Sequence, residues 1–458
     1  MKKIKYLLVI LLCFLLVGLQ AGCDNGNEPS PNHPVTVTIW HTYTEDVGRI
    51  FKSLVDEFNA TEGAKKGVVV DVALVDDASD LNKRILEAET NLPGVRTLPD
   101  MALVYPQVAL LMANQDILVD LNDYFTEAEL NELMPQFVEE GRLGGDKQYL
   151  LPFAKSTEVL YVNRNIFDRF AADTGVEMSD LYTVEGILDT AKKYYQWSGG
   201  KDFFYPENLF NFTTVAFNQL NKDFFLTGHQ LDLHSPTYQQ IWDSYYPLAV
   251  QGGTAVYNRY GDYLAITGDV VCVTSTSAGA LYYPETITYE DNTKEDAIFD
   301  VLPYPVFNEG NKVAIRRGGG ICIIKSKPQK EYAASVFLKW LTKPEQNLKF
   351  TRNTGYMPVV KDAVEETYLS QDEITNNDLV TKVQAVIKQM DEEYIFYTPP
   401  IFETYDTIAN EYSNQMYITA QKDSEYYQKL IESGMESDLA WEQVSQNALQ
   451  DFIESIEN

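Results

Sequence analysis

Gly318–Lys361 reads GGGICIIKSKPQKEYAASVFLKWLTKPEQNLKFTRNTGYMPVVK, and no other stretch says as much about the fold. Ile321–Ile324 reads as a buried strand, Lys327-Pro328 as a turn, and Gln329 to Leu341 as a helix. On that helix Tyr332, Ala333, Val336, Phe337, Trp340 and Leu341 recur at helical spacing and make one apolar face. A second helix opens at Pro344, where a missing backbone N–H costs nothing. It is expected to stop at Gly355, a residue suited to a left-handed cap. Tyr356-Met357-Pro358-Val359 then forms a rigid loop presenting an aromatic ring. By itself this is a strand, two helices and a loop, so the architecture has to be read from what surrounds it.

Upstream, Val35–Ile39 alternates and is β-branched, a good strand. It runs into Trp40-His41 and a helix to about Ala60 with Ile50, Leu54, Val55 and Phe58 on one side. Val68–Val75 is the next strand, followed by a helix through Leu81, Ile85 and Leu86; Asp100–Val104 is another, ending at Tyr105-Pro106. This alternation implies an α/β lobe with a mostly parallel sheet. Ligands of such sheets sit beyond the carboxyl ends of the strands, where Trp40, His41 and Tyr105 fall. Each of the three reads equally well as packing under the next helix. The 458 residues exceed one compact domain, and two lobes are expected.

Gln148–Phe153 is a strand that runs through Ala154-Lys155-Ser156-Thr157 into a second apolar strand ending at Asn163, with no helix between. It reads as one extended segment leaving one lobe and entering the other, with Ser156 and Thr157 facing the cleft. Residues 164–268 are dominated by helical segments, the middle one rich in phenylalanine. Aromatic stripes at that spacing are usually core, but Trp197 and Phe210 stand near loop starts, where one of them could offer a flat stacking face. Val270–Thr274 ends in Ser275-Thr-Ser-Ala-Gly279, a small polar loop able to offer hydroxyls and backbone N–H groups.

Several chemistries are excluded. Ser-x-Ser-x-Gly is not the Gly-x-Ser-x-Gly elbow of a hydrolase, and the histidines are only His33, His41, His229 and His234. No Gly-Lys-Ser/Thr follows Gly318-Gly319-Gly320, so this is not a phosphate-binding P-loop. No metal-ligand spacing occurs and no cofactor is expected. Arg316-Arg317 is the one basic spot beside the presumed cleft, with Arg316 the more readily read as solvated.

The N-terminus carries Lys2, Lys3 and Lys5, an uncharged apolar run from Tyr6 to Leu19, and Ala21-Gly22 before Cys23. That is a secretory leader with the small-residue pattern of a bacterial lipoprotein, although Gln20 stands where such boxes usually carry leucine. Residues 1–22 are then the signal peptide, and Cys23 the lipidated N-terminus of a polar tether, 23–34. Loss of the leader lysines takes the formal charge from −31 to about −34, which repels nucleic acid and anionic membranes. Cys272 and Cys322 lie in apolar strands and are expected as buried free thiols rather than a disulfide.

The order Gly-Gly, apolar strand, Lys-Pro, Ala-Ala…Phe-Leu…Trp-Leu helix, Pro-Glu and Thr-Gly-Tyr-Met-Pro resembles the extracellular solute-binding proteins of bacterial ABC importers, in their carbohydrate and glycerol-3-phosphate group. WHTYTEDVG, FNATEG, STEVLYVN and TSTSAG support the resemblance, which spans nearly all of 35–458. It implies a two-lobed α/β fold of the type II periplasmic-binding kind, each lobe a mainly parallel sheet flanked by helices and joined by crossing hinge strands. The N-terminal lobe is expected from 35–154 and 277–326, the C-terminal lobe from 155–276 and 327–458. At matching positions it implies ligand contact by Ser156, Ser277, Gly318 and Tyr356, joining Trp40, His41, Tyr105, Phe210 and Arg317 as candidates. It implies a monomer that captures a sugar, polyol or glycerophosphate and delivers it to a membrane permease, with no catalysis. Two departures matter. Pro106 replaces an acidic residue of the group, and no arginine stands near Phe402–Asn410, where the glycerol-3-phosphate binders grip phosphate. Both favour a neutral ligand unless Arg317 supplies the charge.

Overall fold

The structure is a computed structural model that describes residues 28–75, 81, 83–84, 98–257, 260–364 and 377–457. The leader, Cys23 and the helical positions Ile85 and Leu86 lie outside those residues. In chain order the strands are β1 (Val35–His41), β2 (Val68–Leu74), β3 (Met101–Val104), β4 (Leu151–Pro152), β5 (Ser156–Asn163), β6 (Phe204–Pro206) and β7 (Cys272–Thr276). They continue with β8 (Thr286–Thr288), β9 (Lys294–Asp296), β10 (Phe299–Leu302), β11 (Val313–Arg317), β12 (Gly320–Ile323) and β13 (Ile395–Tyr397).

One sheet has the order β2-β1-β3-β12-β4. β1 runs parallel to β2 and β3, while β12 is antiparallel to β3 and β4. Successive side chains of a strand point to opposite faces. Val37, Ile39, Val68, Val70, Ile321 and Ile323 therefore share one core with Phe51, Leu54 and Phe58 of the helix Glu45–Ala60. Trp40, Ala102, Val104 and Cys322 turn to the other face, under Val108 and Met112 of the helix Pro106–Asn114.

The helices of the diagnostic stretch form as expected, at Pro328–Leu341 and Pro344–Arg352. Ala333, Ala334, Phe337, Leu338 and Leu341 are buried in the same core as β1, and the Phe337 ring lies 5.0 Å from that of Phe58. These helices therefore belong to the first lobe, not to the second, where the sequence reading puts 327–458. The helix periodicity shows an apolar face but not which sheet it covers.

The second sheet has the order β13-β11-β5-β7-β6, with β10 also on β5. β5 is buried along its whole length and antiparallel to β7, β10 and β11, while β6–β7 and β11–β13 are parallel. The sheet is mixed rather than mainly parallel. Pairing of β10 and β11 with β5 also moves 299–317 from the first lobe into the second. Behind it, Tyr238, Tyr246, Phe210, Phe217 and Tyr412 fill a large aromatic core.

The chain crosses between sheets from β4 to β5 through Phe153-Ala154-Lys155, and back from β11 to β12 through Gly318-Gly319. It crosses again between Pro344–Arg352 in the first lobe and Asp378–Glu393 in the second. The first two crossings run so close together that only glycine fits. A Cβ on Gly318, at φ +120°, would lie 2.9 Å from Ala154 O, and one on Gly319 would lie 2.5 Å from Val104 O. Both glycines let neighbouring backbone approach closely. Gly355 is likewise a close-approach residue: a Cβ there would overlap the Ser277 carbonyl, and the cap of the preceding helix is Asn353.

Cys272 and Cys322 are free, buried thiols, one in each sheet. Among the described residues no helix is long and apolar enough to cross a membrane.

Candidate functional site

Arg317 closes β11 directly opposite Ser156 of β5, at the point where the chain turns toward the first lobe. Its guanidinium reaches along β5: Nη1 donates to Glu158 Oε1 at 3.1 Å. Asn211, in the first turn of the helix Leu209–Gln219, donates through Nδ2 to the same oxygen at 2.6 Å. The Arg317 side chain is 28% exposed and that of Glu158 only 3%, so the arginine reaches solvent and the glutamate lies buried behind it. Burial pushes the Glu158 carboxyl above its ordinary range, with Arg317 and Asn211 pulling it back. Burial also opposes the charge on Arg317, yet Tyr105, Glu158, Glu207 and Tyr405 around it hold it above its usual value.

Glu207, just after β6, accepts from the Gly261 N–H at 2.7 Å. Burial pushes its carboxyl from 4.5 up to about 7, against the Gly261 N–H, the Ser275 hydroxyl and Arg317; Glu158 adds to the rise. Folding therefore favours the protonated acid. The unfolded chain loses that proton near pH 4.5 and the folded chain near 7, so this group's contribution is fully present below 4.5 and declines as pH rises toward 7. Replacing it as Glu207→Gln should flatten that decline, on the order of 1–3 kcal/mol across the window, read from urea midpoints at pH 4.5, 6 and 7.5. Unchanged pH dependence would show that the carboxyl stays solvated.

Tyrosines face this floor from both lobes. The Tyr356 ring is 5.7 Å from Tyr43, which also lies 5.3 Å from Phe350. Burial, then the fields of Tyr43, Tyr105 and Tyr282, hold the Tyr356 hydroxyl well above its ordinary range, with Arg317 opposing. Thr44 Oγ1 donates to the Tyr282 hydroxyl at 3.2 Å, joining the segment after β7 to the first lobe. Tyr105 is 37% exposed.

Tyr105 and Tyr356 thus lie within electrostatic reach of Arg317, and Gly318 follows it in the backbone; Ser156, opposite Arg317, and Thr157, whose Oγ1 donates to Ile315 O at 2.8 Å, are buried rather than facing the cleft. Ser277 lies at the hinge but is fully buried, its hydroxyl accepting from the Thr157 N–H at 3.3 Å, so it ties crossing segments together. Trp40 packs in the core under Pro106–Asn114. His41 lies against Phe51 and Tyr43, with Nδ1 accepting from the Tyr43 N–H at 3.2 Å; burial lowers its pKa to about 4, so it is a neutral packing residue. Phe210 is buried among Phe224, Tyr405 and Tyr412. Trp197 donates to Asp173 at 3.0 Å beside Phe170 and Tyr194, in the second-lobe helical layer.

The residues not singled out from sequence are Glu158, Glu207, Tyr43, Tyr282 and Tyr405. Glu158 had a signal: a carboxylate in a strand that is otherwise apolar and buried needs a partner. The tyrosines had none in a chain with 30 of them. Among the described residues no cluster of His, Cys, Asp or Glu is arranged to hold a metal.

Two α/β lobes joined by crossing strands, with polar and aromatic groups gathered at the hinge, define a protein built to close on a small solute. The chain belongs to the bacterial extracellular solute-binding proteins, whose family model matches residues 53–382. It is 24% identical over 351 residues to the sn-glycerol-3-phosphate-binding periplasmic protein UgpB of Shigella flexneri, covering 72% of this chain and 76% of the relative. Against the same protein of Escherichia coli K12 it is 25% identical over 352 residues, with the same coverage. The fold is that of an ABC substrate-binding protein from Listeria monocytogenes in complex with cycloalternan, with TM-score 0.68 and 15% identity over 93% of this chain and 99% of the other. It is also that of UgpB from Mycobacterium tuberculosis in complex with glycerophosphocholine, with TM-score 0.65 and 16% identity over 92% and 98% of the two chains.

Proposed function

We propose that this protein is the solute-capturing component of an ABC importer, and that its ligand is a sugar or sugar-like polyol held between the lobes. The observation that carries this reading is a cleft floor whose arginine is already paired with a glutamate and faced by tyrosine rings. Such a site offers flat apolar faces to a pyranose ring and planar polar groups to its hydroxyls. Arg317, Tyr105 and Tyr356 make these contacts, and closure occurs about the crossings at 153–155 and 317–320. The role is capture, not catalysis. Lipidation of Cys23 tethers the protein, as a monomer, to the outer face of the membrane, where the closed form docks on the permease.

A second reading, glycerol 3-phosphate or a glycerophosphodiester, is favoured by the names of the sequence relatives and by Arg317 itself. Thermal unfolding of the soluble chain with mono- and oligosaccharides, polyols, glycerol 3-phosphate and glycerophosphocholine separates the two. A ligand at a hundredfold over its Kd adds about 2.7 kcal/mol, a shift of a few degrees for a chain of this size. The expected outcome is a shift with a neutral saccharide. A shift only with phosphates would favour the second reading. No shift with any of them would leave a ligand-free surface lipoprotein as the better description.

A further inference from the structure

We infer that Glu158 is the specificity-determining residue of the cleft, holding Arg317 as a hydrogen-bond donor for hydroxyls and closing it to anionic ligands. This rests on reading the interlobe cleft as the ligand site.

An arginine at the mouth of a binding cleft is the usual receptor for phosphate, since its fork of N–H groups matches two phosphate oxygens. Here one arm of the fork is engaged from behind. Glu158 Oε1 takes Nη1 at 3.1 Å and is itself fixed by Asn211 at 2.6 Å, so the carboxylate cannot swing away when an anion arrives. The asymmetry of exposure matters: water and ligand reach the guanidinium but not the carboxylate. A phosphate approaching Arg317 would meet a cation whose charge is already compensated by the Glu158 carboxylate 3.1 Å away. Tyr105 and Tyr405 also act on Arg317 and add no positive charge. A sugar hydroxyl pays no such penalty, because it needs a directed donor rather than net charge.

The side chain acts through Arg317, so it is a positioning residue, and the test reads charge rather than shape. Glu158→Gln keeps the volume and an oxygen for Asn211 while releasing the charge of Arg317. Inorganic phosphate and glycerol 3-phosphate, titrated by thermal shift and calorimetry, should leave the wild type unaffected at millimolar concentration. They should bind E158Q at least about tenfold more tightly, equivalent to ~1.4 kcal/mol. E158D, which restores a carboxylate, should exclude phosphate as the wild type does, and E158Q/R317Q should lose the gained binding. Phosphate binding no tighter in E158Q than in the wild type would overturn the inference. So would a wild-type phosphate shift abolished by R317Q, a measurement that does not depend on E158Q folding. A saccharide panel without a hit would count against the sugar reading alone, since the phosphate titrations judge Glu158 independently.

Discussion

Asn347→Leu should cost about 3–5 kcal/mol, read as a large fall in the urea midpoint with an unchanged slope. Asn347 is fully buried in the helix Pro344–Arg352. Its Nδ2 donates to Phe153 O at 2.7 Å, and its Oδ1 accepts from the N–H groups of Val359 at 3.0 Å and Val360 at 3.4 Å. Leucine keeps the number and branching of the side-chain heavy atoms, so the loss comes chiefly from three backbone groups left without partners, each costing about 1–3 kcal/mol. The position matters because Phe153 immediately precedes the crossing into β5 and Val359 follows the loop bearing Tyr356. One amide therefore fixes the hinge and the aromatic face of the site together. A cost below about 1 kcal/mol would mean that water takes over those bonds.

Glu140→Gln should be as severe, about 3–5 kcal/mol, because it strands two buried cations. Glu140 Oε2 lies 2.6 Å from Lys155 Nζ and its Oε1 3.5 Å from Arg316 Nε, with side-chain exposures of 11%, 3% and 14%. Lys155 also donates to Gly318 O at 2.8 Å, and Arg316 donates to Thr398 Oγ1 at 2.9 Å and lies over the Phe137 ring. Burial holds Lys155 below its ordinary pKa, and Glu140 is the main counterweight. Without it the lysine falls further, so the folded state binds fewer protons than the unfolded one over a wider range. The deficit should then narrow as pH is raised toward the ordinary lysine value. A deficit that does not change with pH would show that lost packing, not uncompensated charge, is the cause.

The diagnostic stretch was legible because its signals are local. Pro328 and Pro344 each stand at the first position of a helix, and the spacing of Ala333, Phe337 and Leu341 gives a face. What that face covers is a non-local fact, and chain order alone assigns the two helices to the wrong lobe. Tyr105 follows a strand and stays exposed, whereas Trp40 and His41, which meet the same rule, are core residues. β1 runs on through His41, pairing with β2 to its last residue, so both side chains still point into packed faces of the sheet. Glu158 is the lone carboxylate of STEVLYVN. Burial of the whole strand, which a sequence cannot display, is what makes that charge informative.

The pairing of Leu151 with Ile321 has a consequence for how the protein is made. β12 lies about 170 residues downstream of β4, so the first sheet stays incomplete while the whole second-lobe strand set from β5 to β11 is being delivered. Such sequence-distant contacts slow folding. A chain threaded outward N-terminus first would expose β1–β4 unpaired on one edge through most of its emergence, the period in which open strand edges invite aggregation. Chaperone dependence during export should therefore track the arrival of residues 318–352 rather than the completion of the N-terminal lobe's first segment.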